Sequence, residues 1–266
     1  MNHNLTYNLD FIDTLSTLAH ISPMSNQQVL ITKRKDKSGT EKLFVTSNTS
    51  DKGVYYTVKT DANAFNFEGS KFAILSYAQF KKCFSSCQLA SKDNTGNPVL
   101  ETKNSEEDGE PVSVVIKQPA INVVVEHTLA SVDCILKPGL YNAEDDTFYD
   151  IGVTEESAKF ALTNEQLHYI QKMAATVGAT NIKFTVDSGL CTITAYNSKT
   201  ADVFSQTYSV TSDPNAPAFT VNISSTKLAL LPSSEYNVII DKEGMIHFAE
   251  NRTDGIDVNL YILADA

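Results

Sequence analysis

From residue 28 to residue 263 the chain is broken into short runs rich in Val, Ile, Phe, Tyr and Thr, divided by Gly, Asn and Asp turns. This pattern restricts the fold more than any other feature. Such residues suit a pleated, half-buried strand, and turns of two or three residues join antiparallel neighbours rather than spanning a parallel crossover. Strands are expected at 28–34, 42–47, 54–59, 71–75, 98–102, 112–117 and 121–126. A second set is expected at 159–162, 181–186, 190–197, 203–210, 218–223, 236–241, 245–250 and 257–263. Asp187-Ser188-Gly189 and Lys242-Glu243-Gly244 read as tight turns within that set.

Four segments have helical periodicity instead. In 9–21, Phe11, Ile12, Leu15, Leu18 and Ala19 share a face and Pro23 follows. In 77–87, Ser76 and Gln79 form a capping box ahead of a Phe80, Cys83, Phe84, Cys87 stripe. In 164–177, Thr163 and Gln166 repeat the box, with Leu167, Ile170, Met173, Ala174 and Val177 facing inward and Gly178 placed to end the helix. The last, 225–231, is a short turn stopped by Pro232.

The elements recur in the same order in each half: strand, helix, three strands, strand, short helix, further strands. Phe72-Ala-Ile-Leu-Ser76 before the second helix matches Phe219-Thr-Val-Asn-Ile-Ser224 before the fourth. The expected fold class is α+β, two duplicated domains of antiparallel sheet with two helices each, at 1–136 and 158–266. Between them, 137–157 is a long acidic connector, held down by Tyr141, Phe148, Tyr149 and Ile151. The polar stretch 91–110 reads as a solvated excursion without function.

Lys and Arg number 21 against 32 Asp and Glu, a net charge of −11. The imbalance lies in the second half: residues 1–137 carry 14 basic and 15 acidic side chains, residues 138–266 carry 7 and 17. Such a charge argues against a surface that simply adheres to nucleic acid or to an anionic membrane. At 42% hydrophobic and 20% charged the chain can fill packed cores, and no stretch approaches the ~20 apolar residues of a membrane helix. The beginning of the chain lacks the basic-then-apolar order of a signal peptide. Four cysteines (Cys83, Cys87, Cys134 and Cys191) are too few for a disulfide scaffold, so a soluble cytoplasmic protein is expected.

No catalytic motif is visible. The eleven glycines never form GxGxxG or a phosphate loop, there is no GxSxG or HExxH, and the five histidines are scattered. Cys83 and Cys87 stand one helical turn apart without a second pair, and read as core cysteines rather than metal ligands. Glu144, Asp145, Asp146 and Asp150 lack the spacing of a calcium loop. The expectation is a protein that is not an enzyme and needs neither cofactor nor metal.

Residues 160–173, Phe160-Ala-Leu-Thr-Asn-Glu-Gln-Leu-His-Tyr-Ile-Gln-Lys-Met173, resemble a strand and amphipathic helix of the two-domain sliding clamp of T-even-type tailed phages. That clamp is a DNA-polymerase processivity factor related in fold to proliferating cell nuclear antigen. Residues 231–248, from Leu231-Pro232 to His247-Phe248, and Tyr261-Ile262-Leu263-Ala264 resemble its final strands. The resemblance implies a homotrimeric ring around double-stranded DNA, lined by twelve helices and opened by an ATP-driven loader. The protein would tether DNA polymerase, and perform no chemistry of its own, in the cytoplasm of a host cell. Strands 121–126 of one subunit and 203–210 of the next would meet, because ring closure pairs edges that two open sheets leave bare.

Enclosure also reconciles DNA with the negative charge, since a few lysines facing the hole suffice. The implied DNA-facing residues are Lys81 and Lys82 on the second helix, Lys172 on the third and Lys227 on the fourth. The first helix carries Asp10 and Asp13 and no basic residue. The cluster Lys33-Arg34-Lys35-Asp36-Lys37 ends a strand, where it would either touch backbone phosphates at a rim or cap a hairpin, and the hairpin is the favoured reading. Partners would insert short hydrophobic peptides at Ile151 and Val153 on the connector, Leu231 and Pro232 after the fourth helix, and Tyr261 and Leu263 near the end. Two alternatives are a monomeric clamp-like processivity factor and a non-enzymatic virion protein built from duplicated domains.

Overall fold

A computed structural model describes residues 28–36, 38–62, 69–89, 99–118, 122–135, 141–142, 147–148, 158–212, 217–253 and 255–265. The expected helix at 9–21 and positions 149–157 of the connector lie outside them. Backbone contacts divide the chain into two compact units. One comprises Met1–Ser50, Thr57–Gly139 and Asp254–Ile256; the other comprises Asp51–Tyr56, Leu140–Thr253 and Asp257–Ala266.

The first unit contains β1 (Val29–Lys35), β2 (Glu41–Asn48), β3 (Val54–Asp61, from Thr57 onward), β4 (Lys71–Ile74), α1 (Tyr77–Leu89), β5 (Val99–Asn104), β6 (Pro111–Gln118) and β7 (Val123–Thr128). Strand β1 pairs antiparallel with β2 and with β4, within the order β3-β2-β1-β4. One face is a row across three strands, Val45 opposite Ile31 opposite Phe72, none more than 2% exposed. Burying side chains of this size stabilises the fold by about 1.5–3 kcal/mol each. Strands β5, β6 and β7 form a second antiparallel sheet. Helix α1 buries Tyr77 and Phe80, and the Phe80 ring meets His127 of β7 edge-on at 5.4 Å. Strand β7 runs two residues later than the expected 121–126.

One local expectation holds here and another changes. The Lys33–Lys35 cluster ends β1 and leads into a hairpin closed by Asp36, whose carboxylate accepts bonds from the backbone of Ser38 and Thr40. Within 91–110 the strand expected at 98–102 is present at 99–104, but the acidic end of the stretch is not merely solvated: the Glu110 carboxylate pins the start of β4. It accepts from Ser70 N at 3.0 Å, Ser70 Oγ at 2.7 Å and Lys71 N at 3.1 Å.

The second unit contains the ladder of β8 (Tyr141–Asn142) and β9 (Thr147–Phe148), then β10 (Ala158–Leu162), α2 (Asn164–Thr176), β11 (Asn181–Asp187), β12 (Leu190–Tyr196), β13 (Val203–Ser209), β14 (Phe219–Ser224), α3 (Ser225–Leu228), β15 (Tyr236–Asp241), β16 (Met245–Glu250) and β17 (Asp257–Leu263). The order β13-β12-β11-β14 repeats β3-β2-β1-β4 strand for strand. The buried row repeats too, with Ile193 opposite Phe184 opposite Val221. A helix follows the last strand of each set, α1 after β4 and α3 after β14. Strands β15-β16-β17 repeat β5-β6-β7, with β10 beside β15. The expected recurrence of elements is thus a recurrence of topology.

Local chemistry explains the joints. Thr163 Oγ1 accepts from Gln166 N while Gln166 Oε1 accepts from Thr163 N, so the capping box of α2 is complete. At its other end Gly178 N bonds Ala175 O and Ala179 N bonds Ala174 O, a Schellman close. Ser188 and Gly189, both with positive φ, make the two-residue turn that joins β11 to β12 in register. Helix α3 ends at Leu228 rather than at 231; single turns carry the chain on to Leu231.

Candidate functional site

Three features could serve a macromolecular partner, and the first is the outward face of the helices. In α2, Leu167, Ile170 and Ala174 are buried, which turns Lys172 to solvent. In α1 the buried pair Tyr77 and Phe80 leaves Lys82 exposed and Lys81 half-buried. Across α1 and α2 three lysines stand against one acidic residue, Glu165 in the first turn of α2. On a chain of net charge −11 these helices are locally basic.

Lys227 does not belong with them, and the expectation that it faces DNA is corrected. It is 6% exposed, and its Nζ donates to Leu263 O at 3.0 Å and to Asp265 Oδ1 at 2.5 Å. On a four-residue helix, segments distant in sequence cover the side that periodicity assigned to solvent.

The second feature is a pair of strand edges. Strand β13 ends one sheet and β7 another, and each exposes a valine: Val203 at 58% and Val124 at 59%. On the other face of β13, Phe204 meets the half-exposed Tyr169 of α2 at 5.7 Å. The neighbouring Gln206 Oε1 and Tyr208 OH are buried without a hydrogen-bond partner among the described residues. Burial pushes the Tyr208 hydroxyl up to about 12. These atoms lie on the covered face of β13, where Tyr208 stacks on Phe160 at 5.6 Å, and leaving them unsatisfied is costly.

The third is the face of β17 that carries Tyr261 and Leu263. Tyr261 lies opposite His247 of β16, and their rings stack at 4.4 Å with 10° between planes. His247 Nε2 stands 2.8 Å from Asn259 Oδ1, two residues before Tyr261 on the same strand face. Burial holds the imidazole below its ordinary value, against the Asn259 bond. His247 is the member that reading the sequence missed, because nothing local pairs it with Tyr261. Leu231 is 4% exposed and belongs to the core, which corrects its place in a peptide pocket. Pro232 is half-buried, and its carbonyl accepts from Tyr236 OH at 2.9 Å. Gln171 Nε2 ties α2 to Leu228 O and Leu231 O. Ile151 and Val153 lie outside the described residues.

No protein family and no curated protein matches this sequence. Solved structures do. The C-terminal region of FEN-1 bound to A. fulgidus PCNA matches with a TM-score of 0.61 over 96% of this chain and 96% of that chain, at 11% identity. Proliferating cellular nuclear antigen from Entamoeba histolytica matches with a TM-score of 0.61 over 96% and 95%, at 10% identity. The fold is that of PCNA. The duplicated topology is therefore a duplicated PCNA-type domain, and the helices, edges and β17 face described above are features of that fold in this chain. At such identities the likeness is one of fold, not of shared letters.

Proposed function

We propose that this chain is a sliding clamp: a homotrimeric ring that encircles duplex DNA and tethers a replicative polymerase. The duplication carries this reading. It gives each chain two similar units in the PCNA fold, each with a strand that ends its sheet among the described residues, β7 and β13. Pairing β7 of one subunit with β13 of the next repeats head to tail, and three such contacts close a ring.

Locally basic helices on an acidic protein suit retention by enclosure. Lys81, Lys82 and Lys172 track the phosphates while the remaining charge repels stray contact. Partners, a polymerase and an ATP-driven loader among them, dock short hydrophobic peptides against Tyr261 and Leu263. One of the matched PCNA structures holds the C-terminal region of FEN-1. The protein performs no chemistry of its own, and it acts in the cytoplasm, that of the host cell if the chain is phage-encoded.

The test is topological. Loaded onto a closed circular plasmid, the protein is retained through gel filtration at moderate salt; cutting the plasmid once releases it. Retention on linear DNA equal to that on the circle would overturn enclosure. Sedimentation at three times 29.1 kDa supports the trimer, and a monomer redirects the reading to a clamp-like factor that binds alone.

A further inference from the structure

We propose that Lys227 is a positioning residue for the partner-peptide face of β17, an inference that rests on the peptide reading above. A buried ammonium is costly unless it is paired and hydrogen-bonded. Lys227 meets that condition by gripping the end of β17, at Leu263 O and at the carboxylate of Asp265. The three successive amides there are held by three other segments: Leu263 N by Gly53 O at 2.9 Å, Ala264 N by Gly244 O at 2.6 Å, and Asp265 N by Asn222 O at 2.9 Å. Gly53 leaves the lane by which the lysine arrives, since a Cβ there would stand 2.7 Å from Lys227 Cε and 2.8 Å from Nζ. Asp51 is the second carboxylate near this lane, its Oδ2 3.2 Å from the same point, and it is already engaged by Gly53 N.

The consequence concerns how a peptide is read. Both backbone groups of Leu263 are occupied, so an incoming peptide cannot add to the sheet there as an extra strand. It has to dock on side chains. Tyr261 and Leu263 alternate onto the same face of β17, where Tyr261 stacks on His247, and the Lys227 grip fixes the direction in which they stand. Rigid presentation lowers the ordering cost of binding.

The experiment uses the full chain and a fluorescein-labelled 12-residue peptide selected from a displayed library on the wild type. The peptide is kept only if Tyr261→Ala abolishes its binding. Lys227→Met is expected to raise Kd about tenfold. Asp265→Ala, which leaves the Leu263 O bond in place, should raise it by a smaller factor, and the two together no more than Lys227→Met alone, because the lysine change already removes the Asp265 pair. Asp265→Asn, which keeps an oxygen for the ammonium, should restore most of the affinity. Amide exchange at residues 263–265 should accelerate in the weakened variants. Faster exchange with Kd within about twofold of wild type overturns the proposal while leaving the peptide face standing. A library that yields no Tyr261-dependent peptide overturns the face itself and the proposal with it. Should Lys227→Met fail to fold, Asp265→Ala carries the test, since it alters an exposed carboxylate.

Discussion

Lys103 of β5 reaches across β6 to Glu126 of the edge strand β7, its Nζ 2.5 Å from Oε2, while Ser113 of β6 donates to Oε1 at 2.7 Å. A second pair, Lys117 with Glu101, lies on the same face. The Lys103 and Ser113 contacts stitch the edge strand β7 to its sheet, and the Lys117 pair ties β6 to β5. They hold that edge in register for whatever pairs with it.

The first prediction is a pH dependence confined to that edge. The Lys103 bond, and next the Ser113 bond, hold the Glu126 carboxyl below its ordinary 4.5. A carboxyl depressed on folding stabilises fully above its unfolded value and loses that stabilisation as pH falls through the folded one. Amide protection in β7 should therefore be flat above pH 4.5 and fall below it. Glu126→Gln should remove the fall. A wild-type β7 whose protection is unchanged down to pH 3 would contradict it.

Like charges on both edges should separate the subunits. Val124→Lys with Val203→Lys places an ammonium on β7 and on β13, at positions 59% and 58% exposed in the single chain. Sedimentation is expected to shift from trimer to monomer with little change in melting, because surface changes of this kind alter stability by about 0.5 kcal/mol or less. Exchanging one lysine for glutamate should restore the trimer. An unmoved trimer in the double-lysine variant would place the contact elsewhere.

Reversal of Lys81, Lys82 and Lys172 to Glu should impair loading on circular DNA and flatten its salt dependence, with the trimer intact. Lys227→Glu should behave differently. It sets a buried carboxylate against Asp265 and the Leu263 carbonyl, a loss of about 3–5 kcal/mol in stability. Melting curves beside retention assays distinguish the two outcomes. Wild-type melting for Lys227→Glu would mean that the side chain is not buried.

Gly53→Ala should destabilise the wild type by about 1–3 kcal/mol, because the new methyl meets the Lys227 side chain in a packed lane. In a Lys227→Ala background the same change should be close to neutral. A cycle of the four proteins measures the coupling, and equal costs in both backgrounds would show that Gly53 is not there to admit the lysine.

Much of this protein was decided by short-range chemistry that the sequence carries openly. Strands 236–241, 245–250 and 257–263 fall where the apolar, β-branched runs and the turns between them placed them, because such residues suit a half-buried strand and the turns depend only on neighbours along the chain. The Thr163–Gln166 box and the Ser188-Gly189 turn likewise depend only on neighbours along the chain. The recurrence of elements was enough to expect two like units, since topology follows largely from the order of strands and the length of their turns. Three site features were settled only in three dimensions. Lys227 looked solvent-facing on its own short helix until the segments at 53 and 263–265 closed over it. Leu231 read as a pocket wall and is core, and His247 read as isolated and is the stacking partner of Tyr261. In each case the deciding neighbour is many residues away, and burial is set by which distant segments pack together, which no local pattern of side chains encodes.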